Sequence, residues 1–345
     1  MERHVRHFIL GIFLSVFLLL PDYLQADTDI VELAKAGGGY IEWDFWGEQG
    51  TLVLGSHRYG FSLPTGWVIY NYREKIPGRV YRGEGGAVLV STPAEKRIKE
   101  TVSTIRSQAP TIAAVLIDPG HGGKDPGAIG KHRIDGKQLR VLEKDVVLEV
   151  CLDLYRKLKE QYPGKRIMLT RSGDTFPSLE ERVEMANSME LSPHDAIIYI
   201  SVHANASLNS RAKGFEVWYL PPDYRRTLID QESIDTESKE VIPILNTMLE
   251  EEYTTESILL AQRILKGMDE KLGGITENRG LKEEIWFVVR KAKMPSVLIE
   301  LGFVTNQEEA VLLTKKQYLQ KLSQAIYNGT SSFIDDFEAT RGFTE

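Results

Sequence analysis

Three short apolar runs in this sequence end at, or just before, a side chain that could bind a metal ion or carry a proton. The runs occupy residues 115–117, 197–202 and 297–299, and they lead to His121, His203 and Glu300 respectively. Runs of this kind are typical of strands that are buried on both faces of a sheet. Because ligands bind at the carboxyl ends of strands in an open α/β sheet, we expect these side chains to meet at one edge.

Together with Glu143, these residues supply the side chains that a hydrolytic zinc site requires. Such a site takes three protein ligands from histidine and carboxylate side chains and leaves one position for water. His121, Glu143 and His203 form such a set, because Glu143 opens a predicted helix just after the loop that follows His121. Glu300 is then the separate carboxylate that takes the proton of water and passes it to a leaving amine.

Taken one at a time, these residues have simpler explanations. A lone histidine in a glycine-rich loop is more often solvated, and Glu143 alone could be an acid stabilised by the helix dipole. Ser201 lies two residues before His203 but has no visible acid partner for nucleophilic catalysis. Cys151 is the only cysteine, and its apolar neighbours at helical spacing favour a place in the core. Only the joint arrangement favours the metal site.

The elements around these residues alternate between strands and helices, which predicts an α/β domain over residues 112–338. We expect a twisted, mostly parallel sheet flanked by helices. A glycine-rich loop should extend from the first strand to about Gln138. The predicted strands are 115–117, 167–170, 197–203, 215–220, 285–289 and 297–300, and the predicted helices begin near Glu143, Ser178, Ser257 and Lys315.

Residues 27–91 differ in composition and hydrophobic pattern from the rest of the chain, and this pattern predicts a small β-rich domain. They are rich in glycine and aromatic residues, and apolar and polar residues alternate in short runs. The aromatic residues could contact a glycan, or they could simply form a core of large side chains. Residues 92–111 are expected to be a linker helix, with Thr92, Pro93 and Glu95 at its start as a capping box.

Residues 221–254 interrupt the alternation with a long, strongly acidic insertion. Nine acidic residues stand against three basic ones, and a short amphipathic helix is expected from Pro243 to Glu252. A connection of this length is either functional or disordered. We expect it to leave the sheet close to the metal ligands, where it could cover the site, or to be a solvated loop.

The beginning of the chain has the features of a secretory signal over residues 1–26. Arg3 and Arg6 precede an apolar stretch that ends before Leu24-Gln25-Ala26, an acceptable cleavage site. An uncleaved membrane anchor is the alternative. The signal predicts a secreted, periplasmic or wall-associated protein, and the net charge of -7 argues against a nucleic-acid partner.

The second domain resembles the zinc-dependent N-acetylmuramoyl-L-alanine amidases of the Amidase_3 type. The matching stretches are Ile117-Asp118-Pro119-Gly120-His121-Gly122-Gly123, Glu143-Lys144-Asp145, Leu169-Thr170-Arg171, Ser201-Val202-His203-Ala204-Asn205, Gly214-Phe215-Glu216-Val217 and Met294-Pro295-Ser296-Val297-Leu298-Ile299-Glu300. The resemblance implies His121, Glu143 and His203 as zinc ligands and Glu300 as the catalytic acid and base. It also implies cleavage of the amide between muramic acid and L-alanine in peptidoglycan, for wall remodelling or daughter-cell separation.

Two other functions stay open at this point. The chain could be a zinc peptidase that cuts within the peptidoglycan stem, or a catalytically inactive wall-binding protein. The acidic insertion resembles the segment with which some cell-division amidases cover their own zinc. That resemblance implies autoinhibition, which a protein activator would relieve by displacing residues 221–254.

Overall fold

The computed structural model describes residues 27–192, 194–229 and 241–343. The chain divides into two compact units, residues 1–108 and 109–345. The signal segment predicted for residues 1–26 lies outside the described residues. Within the described ranges, the search for a helix with the length and apolar character needed to cross a membrane finds none.

The first unit is built around a five-stranded antiparallel meander, β2-β3-β4-β5-β6, beside a three-stranded sheet of order β1-β8-β7. A single 3-10 turn lies at Glu84–Gly86. The regular elements are β1 (Thr28–Asp29), α1 (Ile30–Ala36), β2 (Tyr40–Asp44), β3 (Gln49–Leu54), β4 (His57–Ser62), β5 (Val68–Tyr70), β6 (Glu74–Ile76), β7 (Val80–Arg82), β8 (Val88–Val90) and α2 (Ala94–Ser107).

Helix α2, for which a linker is predicted, packs into the core of the first unit. Ile98 and Val102 of α2 are buried in the same cluster as Leu52 and Tyr59 of the meander. The capping box predicted at its start is also absent. The N-cap is Pro93, which provides no side-chain hydrogen bond, and the Thr92 hydroxyl donates to the Glu95 carboxylate instead.

The second unit carries the alternating strands and helices. Its elements are β9 (Thr111–Pro119), β10 (Ile129–Ile134), β11 (Lys137–Leu142), α3 (Glu143–Gln161), β12 (Arg166–Leu169), α4 (Leu179–Asn187), β13 (Asp195–Asn205), β14 (Phe215–Tyr219), α5 (Ile242–Leu272), β15 (Asn278–Glu283), α6 (Phe287–Lys291), β16 (Ser296–Phe303), α7 (Gln307–Leu313) and α8 (Lys316–Thr340). The capping box of Ser178 and Glu181 at the start of α4 is present as predicted.

Six strands form one mixed sheet of order β12-β9-β13-β16-β14-β15. The first four are parallel, β14 is antiparallel to β16, and β15 is parallel to β14. Helices α3, α5 and α8 cover one face, where Cys151 is fully buried, and α4 and α6 contribute to the buried cluster on the other face. The predicted sheet, mostly parallel and flanked by helices, is therefore confirmed.

Three elements differ from the sequence-based expectation. The loop after β9 contains the hairpin of β10 and β11, which are paired from Ile129↔Leu142 to Ile134↔Lys137. The strand predicted at 285–289 is wrong, because residues 287–291 form α6 and the strand is β15, a few residues earlier. A short apolar run does not distinguish a strand from one buried helical turn. Residues 242–272 form one helix rather than two.

The acidic insertion leaves the sheet at the end opposite to the expected one. Because β14 is antiparallel to β16, Glu216 pairs with Glu300 whereas Trp218, nearer the insertion, pairs with Leu298. Helix α5 begins inside the insertion, and its Ser257 Oγ accepts a hydrogen bond from the Ser296 backbone, where β16 begins. The described residues 221–229 and 241–254 therefore start from the far end of the strands. Residues 230–240 lie outside the described part.

Candidate metal centre

His121 is held in an unusual backbone conformation directly after β9. Its φ is 60°, in the left-handed region that non-glycine residues seldom adopt. Arg182 Nη2 donates to the His121 carbonyl at 2.6 Å, and Arg171 Nη2 donates to the Gly120 carbonyl at 2.7 Å. Two arginines therefore anchor the backbone of the histidine loop, so that the strained turn aims the imidazole back over the sheet edge.

Glu143 reaches the same edge because the β10–β11 hairpin returns the chain to the start of α3. It is the first residue of α3 and is only 4% exposed. Its Oε2 accepts from the Ala128 backbone at 2.7 Å, and its Oε1 accepts from the Ala204 backbone at 3.0 Å. Both carboxylate oxygens are thus oriented by backbone donors.

His203 lies near the end of β13, next to the turn that carries His121. Its Nδ1 is 2.9 Å from Glu143 Oε1 and 3.2 Å from His121 Nε2. Gly120 provides the room for this ring, because a Cβ on Gly120 would come within 2.3 Å of the imidazole. A larger residue than glycine is therefore excluded at position 120.

The three side chains fit a tetrahedral metal ion. The remaining distance, from His121 Nε2 to Glu143 Oε1, is 3.1 Å. Bonds of about 2.0–2.1 Å to a tetrahedral zinc ion separate neighbouring donor atoms by roughly 3.3 Å, close to the spacing seen here. Asp125 Oδ2 lies 2.7 Å from His121 Nδ1, the carboxylate partner that typically orients a ligating histidine. The donor set therefore fits a metal such as zinc.

The electrostatics of this cluster favour an ionised carboxylate at Glu143. Burial opposes the charged form, but the hydrogen bonds and charges of His121 and His203 hold the pKa of Glu143 far below its usual range. Burial also opposes the charged form of His121, which by itself would lower its pKa. The hydrogen bonds and charges of Glu143 and Asp125 outweigh this effect, so the pKa of His121 is raised. A buried, ionised carboxylate with two imidazoles is a suitable environment for a divalent cation.

Glu300 lies beside the donor cluster rather than in it. In the sheet register it stands between His203 of β13 and Glu216 of β14. Its Oε2 is buried and has no hydrogen-bond partner among the described residues. Burial raises the pKa of Glu300 well above its usual value, and the charges of Glu143 and Glu216 raise it further. The carboxyl group is thus an orphaned polar group, available to exchange a proton.

Glu216 and Arg279 lie at the same edge of the sheet as Glu300, but the sequence predicted no role for them in the site. Glu216 is 2% exposed, accepts from Asn205 Nδ2 at 2.7 Å and pairs with Arg279 Nε at 2.8 Å. The sequence signal that could have identified Glu216 is its position as the only charged residue in the apolar run 215–219. Arg279 therefore holds the Glu216 carboxylate next to Glu300.

Asp118 forms a buried polar base beneath the histidine loop. It is 1% exposed and accepts from Arg182, Thr170, Tyr199 and Ser201, with distances between 2.6 and 2.8 Å. Burial opposes ionisation, but Arg182 and the hydroxyl donors hold the pKa of Asp118 below its usual range. Ser201 therefore does have an acidic partner, Asp118. Both side chains are buried, and their hydrogen bond supports the fold.

Residues of the second unit match a known protein family. The family model for N-acetylmuramoyl-L-alanine amidase, Amidase_3, matches residues 115–332. Over 249 residues the chain is 32% identical to the amidase LytC of Bacillus subtilis, covering 72% of this chain but only 39% of LytC. It is 31% identical to AmiA of Salmonella typhimurium over 247 residues, or 67% of this chain and 79% of AmiA.

Among solved structures, the amidase AmiC2 of Nostoc punctiforme is similar, with a TM-score of 0.48 and 28% sequence identity. The match covers 64% of this chain and 97% of AmiC2. The family model alone spans more than half of the chain and includes all four residues of the site. The chain therefore belongs to the N-acetylmuramoyl-L-alanine amidase family.

Proposed function

We propose that this protein hydrolyses the amide bond between the muramic acid lactyl group and L-alanine in peptidoglycan. The observation that carries the proposal is the convergence of His121, Glu143 and His203 beside the orphaned carboxyl of Glu300, inside a domain of the amidase family. Such an arrangement pairs a metal site with a separate proton carrier, which amide hydrolysis requires.

The metal in this proposal is zinc, held by His121 Nε2, His203 Nδ1 and Glu143 Oε1. Two histidines and a glutamate are a ligand set of hydrolytic zinc sites, which keep one position open. When bound, zinc polarises the scissile carbonyl and lowers the pKa of a water molecule toward about 7. Asp125 holds the His121 ring in place, and the backbone donors of Ala128 and Ala204 hold the Glu143 carboxylate.

The proton transfers fall to Glu300 in this mechanism. Its Oε2 takes a proton from the attacking water and gives it to the leaving amine nitrogen. A raised pKa makes the Glu300 carboxylate a stronger acceptor for the proton of water, and the carboxyl group formed in this way then donates that proton to the amine. The Glu216 carboxylate, which Arg279 holds in place, contributes to the raised pKa of Glu300 after burial and Glu143.

The proposed place of action is outside the cytoplasm, where the peptidoglycan substrate is found. The amidase relatives support an extracytoplasmic location. Cleavage of residues 1–26, a periplasmic or wall-associated location and a role in daughter-cell separation are the finer parts of the proposal. The first is testable by N-terminal sequencing of the mature protein, and an intact Met1 on exported protein would contradict it.

Control by a protein activator that displaces residues 221–254 is a further part of this proposal. The described parts of the insertion start from the far end of the strands, so an activator would act through β14 or α5 rather than by uncovering metal ligands. Replacing residues 230–240 with a Gly-Ser linker keeps the described parts intact. Faster degradation of sacculi would support restraint by the segment, whereas an unchanged rate would remove it from regulation.

Mass spectrometry of digested sacculi tests the reaction itself. We expect stem peptides with a free L-alanine amine and glycan chains with a free lactyl carboxyl. Peptides cut between stem residues would favour a zinc peptidase instead. An absence of new products from protein that contains stoichiometric zinc would favour a wall-binding protein without catalytic activity.

A further inference from the structure

The β10–β11 hairpin carries a row of cations next to the candidate metal centre. Lys131 and Arg133 of β10 and Arg140 of β11 are exposed. In the antiparallel register Lys131 stands directly opposite Arg140, so the two side chains project from the same face of the hairpin. Arg133 is the next residue of β10 on that face. We call this surface the cationic face and define it by these three residues.

The other face of the hairpin packs on the protein. His132 Nε2 lies 2.8 Å from the Val304 carbonyl oxygen. A Cβ on Gly130 would lie 2.0 Å from the same oxygen, so the absence of a side chain allows this close approach. Val141, which pairs with Gly130, is 3% exposed. Because successive side chains of a strand point to opposite faces, the cationic face is directed toward solvent.

The arrangement of these cations opposes the stability of the hairpin. Side chains directly opposite each other have Cβ atoms about 4.5–5.5 Å apart, and like charges at this separation are destabilising. None of the three cations makes an ion pair or a side-chain hydrogen bond with the described residues. Asp145 and Glu149 line the same surface groove as Arg140 but form no ion pair with it. A local arrangement that costs stability without a compensating contact is expected at functional sites, and here it indicates an anionic ligand.

The cationic face begins close to Glu143, because β11 leads directly into α3. Arg140 precedes Glu143 by three residues, which is about 10 Å of extended strand. Gln138, the partner of Arg133, precedes it by five residues, or about 17 Å. An extended peptide of five residues spans about the same length. A peptide that leaves the metal centre along the hairpin can therefore contact all three cations.

The stem peptide of peptidoglycan has the complementary charge. Its D-glutamate is linked through the side-chain carboxyl group, so the α-carboxylate stays free one residue beyond L-alanine, and the carboxyl terminus of the stem carries another negative charge. We propose that Lys131 and Arg140 bind the α-carboxylate of the stem D-glutamate and that Arg133 binds a carboxylate farther along the stem. The inference rests on the proposed amidase function of the second unit. It makes stems with a free D-glutamate carboxylate better ligands than amidated stems, because the amide offers no charge to the two cations.

Titration calorimetry with the full-length chain tests the proposal. The probes are the tripeptide L-alanyl-γ-D-glutamyl-meso-diaminopimelate and the same peptide with an amide in place of the D-glutamate α-carboxylate. Neither contains the lactyl amide, so binding is measured without hydrolysis. Lys131→Glu puts an opposite charge across from Arg140, so its melting temperature should equal or exceed that of the parent. Lys291→Glu is the matched control with the same change in charge, at an exposed position before β16 and thus at the end of that strand opposite to Glu300.

We expect the parent and Lys291→Glu to bind the carboxylate form roughly twofold to fivefold more tightly than the amide form, the range of one exposed ion pair. Added salt should reduce this preference in the parent, because it screens exposed charges. Lys131→Glu should lose the preference. Absence of saturable binding, equal binding of both peptides by the parent, or an unchanged preference in Lys131→Glu would overturn the proposal.

A polyglycerol phosphate oligomer separates the stem peptide from an anionic wall polymer. If it bound more tightly than the tripeptide and lost this binding in Lys131→Glu, the cationic face would be a phosphodiester site and the proposal would be wrong. Release of stem peptides from sacculi by the parent, measured separately, reports on the amidase function. Failure of one proposal is therefore distinguishable from failure of the other.

Discussion

Arg182 Nη1 donates to Asp118 Oδ1 at 2.6 Å in a pair that is almost completely buried, and the same side chain donates to the His121 carbonyl. One residue of α4 thus joins the C-terminal end of β9 to the loop that carries His121, the first of the proposed metal ligands. A buried ion pair adds little stability compared with an apolar pair of the same volume. Removing one of its partners is strongly destabilising, because the other charge is then buried without a counter-charge. The geometry of the candidate metal centre therefore depends on a residue that lies outside the donor cluster.

Arg182→Met should destabilise the second unit by about 3–5 kcal/mol, because Asp118 keeps its buried charge and loses its cation. Urea or thermal unfolding would measure the loss. Arg156→Met is the matched control, because the Arg156 side chain is 70% exposed in its ion pair with Asp153, and the pair should contribute less than about 1 kcal/mol. Equal effects of the two substitutions would contradict the structural role of the buried pair.

His203→Ala should lose most of the bound metal while the fold is retained. The substitution removes one of three donors whose mutual distances are 2.9–3.2 Å, and each ligand contributes substantially to affinity. Metal content per chain, measured by mass spectrometry after dialysis, checks the prediction. His194→Ala, at an exposed position, should keep the parental content. Stoichiometric zinc in His203→Ala would show that the ligand assignment is wrong.

Glu300→Gln should keep metal and stability but lower the rate of hydrolysis by about 10²–10⁴-fold. The amide has nearly the same shape as the carboxyl group but cannot accept the proton of water. The assay is release of stem peptide from sacculi at saturating substrate, with metal content measured on the same sample. A rate within tenfold of the parent would remove Glu300 from the proton transfers.

Glu256 of α5 should make the stability of the second unit depend on pH. Burial, with a smaller contribution from the charge of Glu252, raises its pKa from 4.5 to about 8. Between these values the folded chain retains a proton that the unfolded chain releases, so the free energy of unfolding should fall as pH rises from 4.5 to 8. Glu256→Gln, which has no proton to lose, should be more stable than the parent above pH 8, by about 2–4 kcal/mol.

At pH 4.5 and below, Glu256→Gln and the parent should have similar stability, because the carboxyl group is then neutral in both states. Thermal unfolding across this pH range gives the comparison. Glu251→Gln, at an exposed neighbouring position, is the control and should follow the parent at every pH. A constant difference between Glu256→Gln and the parent across the range would refute the raised pKa.

Arg226→Met tests whether the described part of the acidic insertion is structural. Arg226 Nε lies 2.9 Å from Glu250 Oε1, and Arg226 Nη1 donates to the Ala292 carbonyl, with both side chains buried. We expect a loss of about 3–5 kcal/mol in stability, because Glu250 is left as an unpaired buried charge. A faster, equally stable variant would instead indicate a regulatory contact.

The sequence by itself determined the residues of the candidate metal centre and the type of fold around them. His121, His203 and Glu300 each follow a run of apolar residues, and such runs form buried strands wherever the rest of the chain lies. The local signals at Glu143 and Ser178 were also sufficient, because a helix start depends on residues within one turn. Their chemical roles, with zinc as the metal, stay predictions that the variants above can test.

Only the tertiary structure decided the direction of β14 and the partners of the buried charges. A run such as 215–219 reads the same in a parallel or an antiparallel strand, so the end at which the acidic insertion begins was not determined locally. Arg182 and Asp118 are 64 residues apart, and Arg279 and Glu216 are 63 apart. These pairs form because the sheet order brings their strands and helices together, and burial then makes each charge depend on the other.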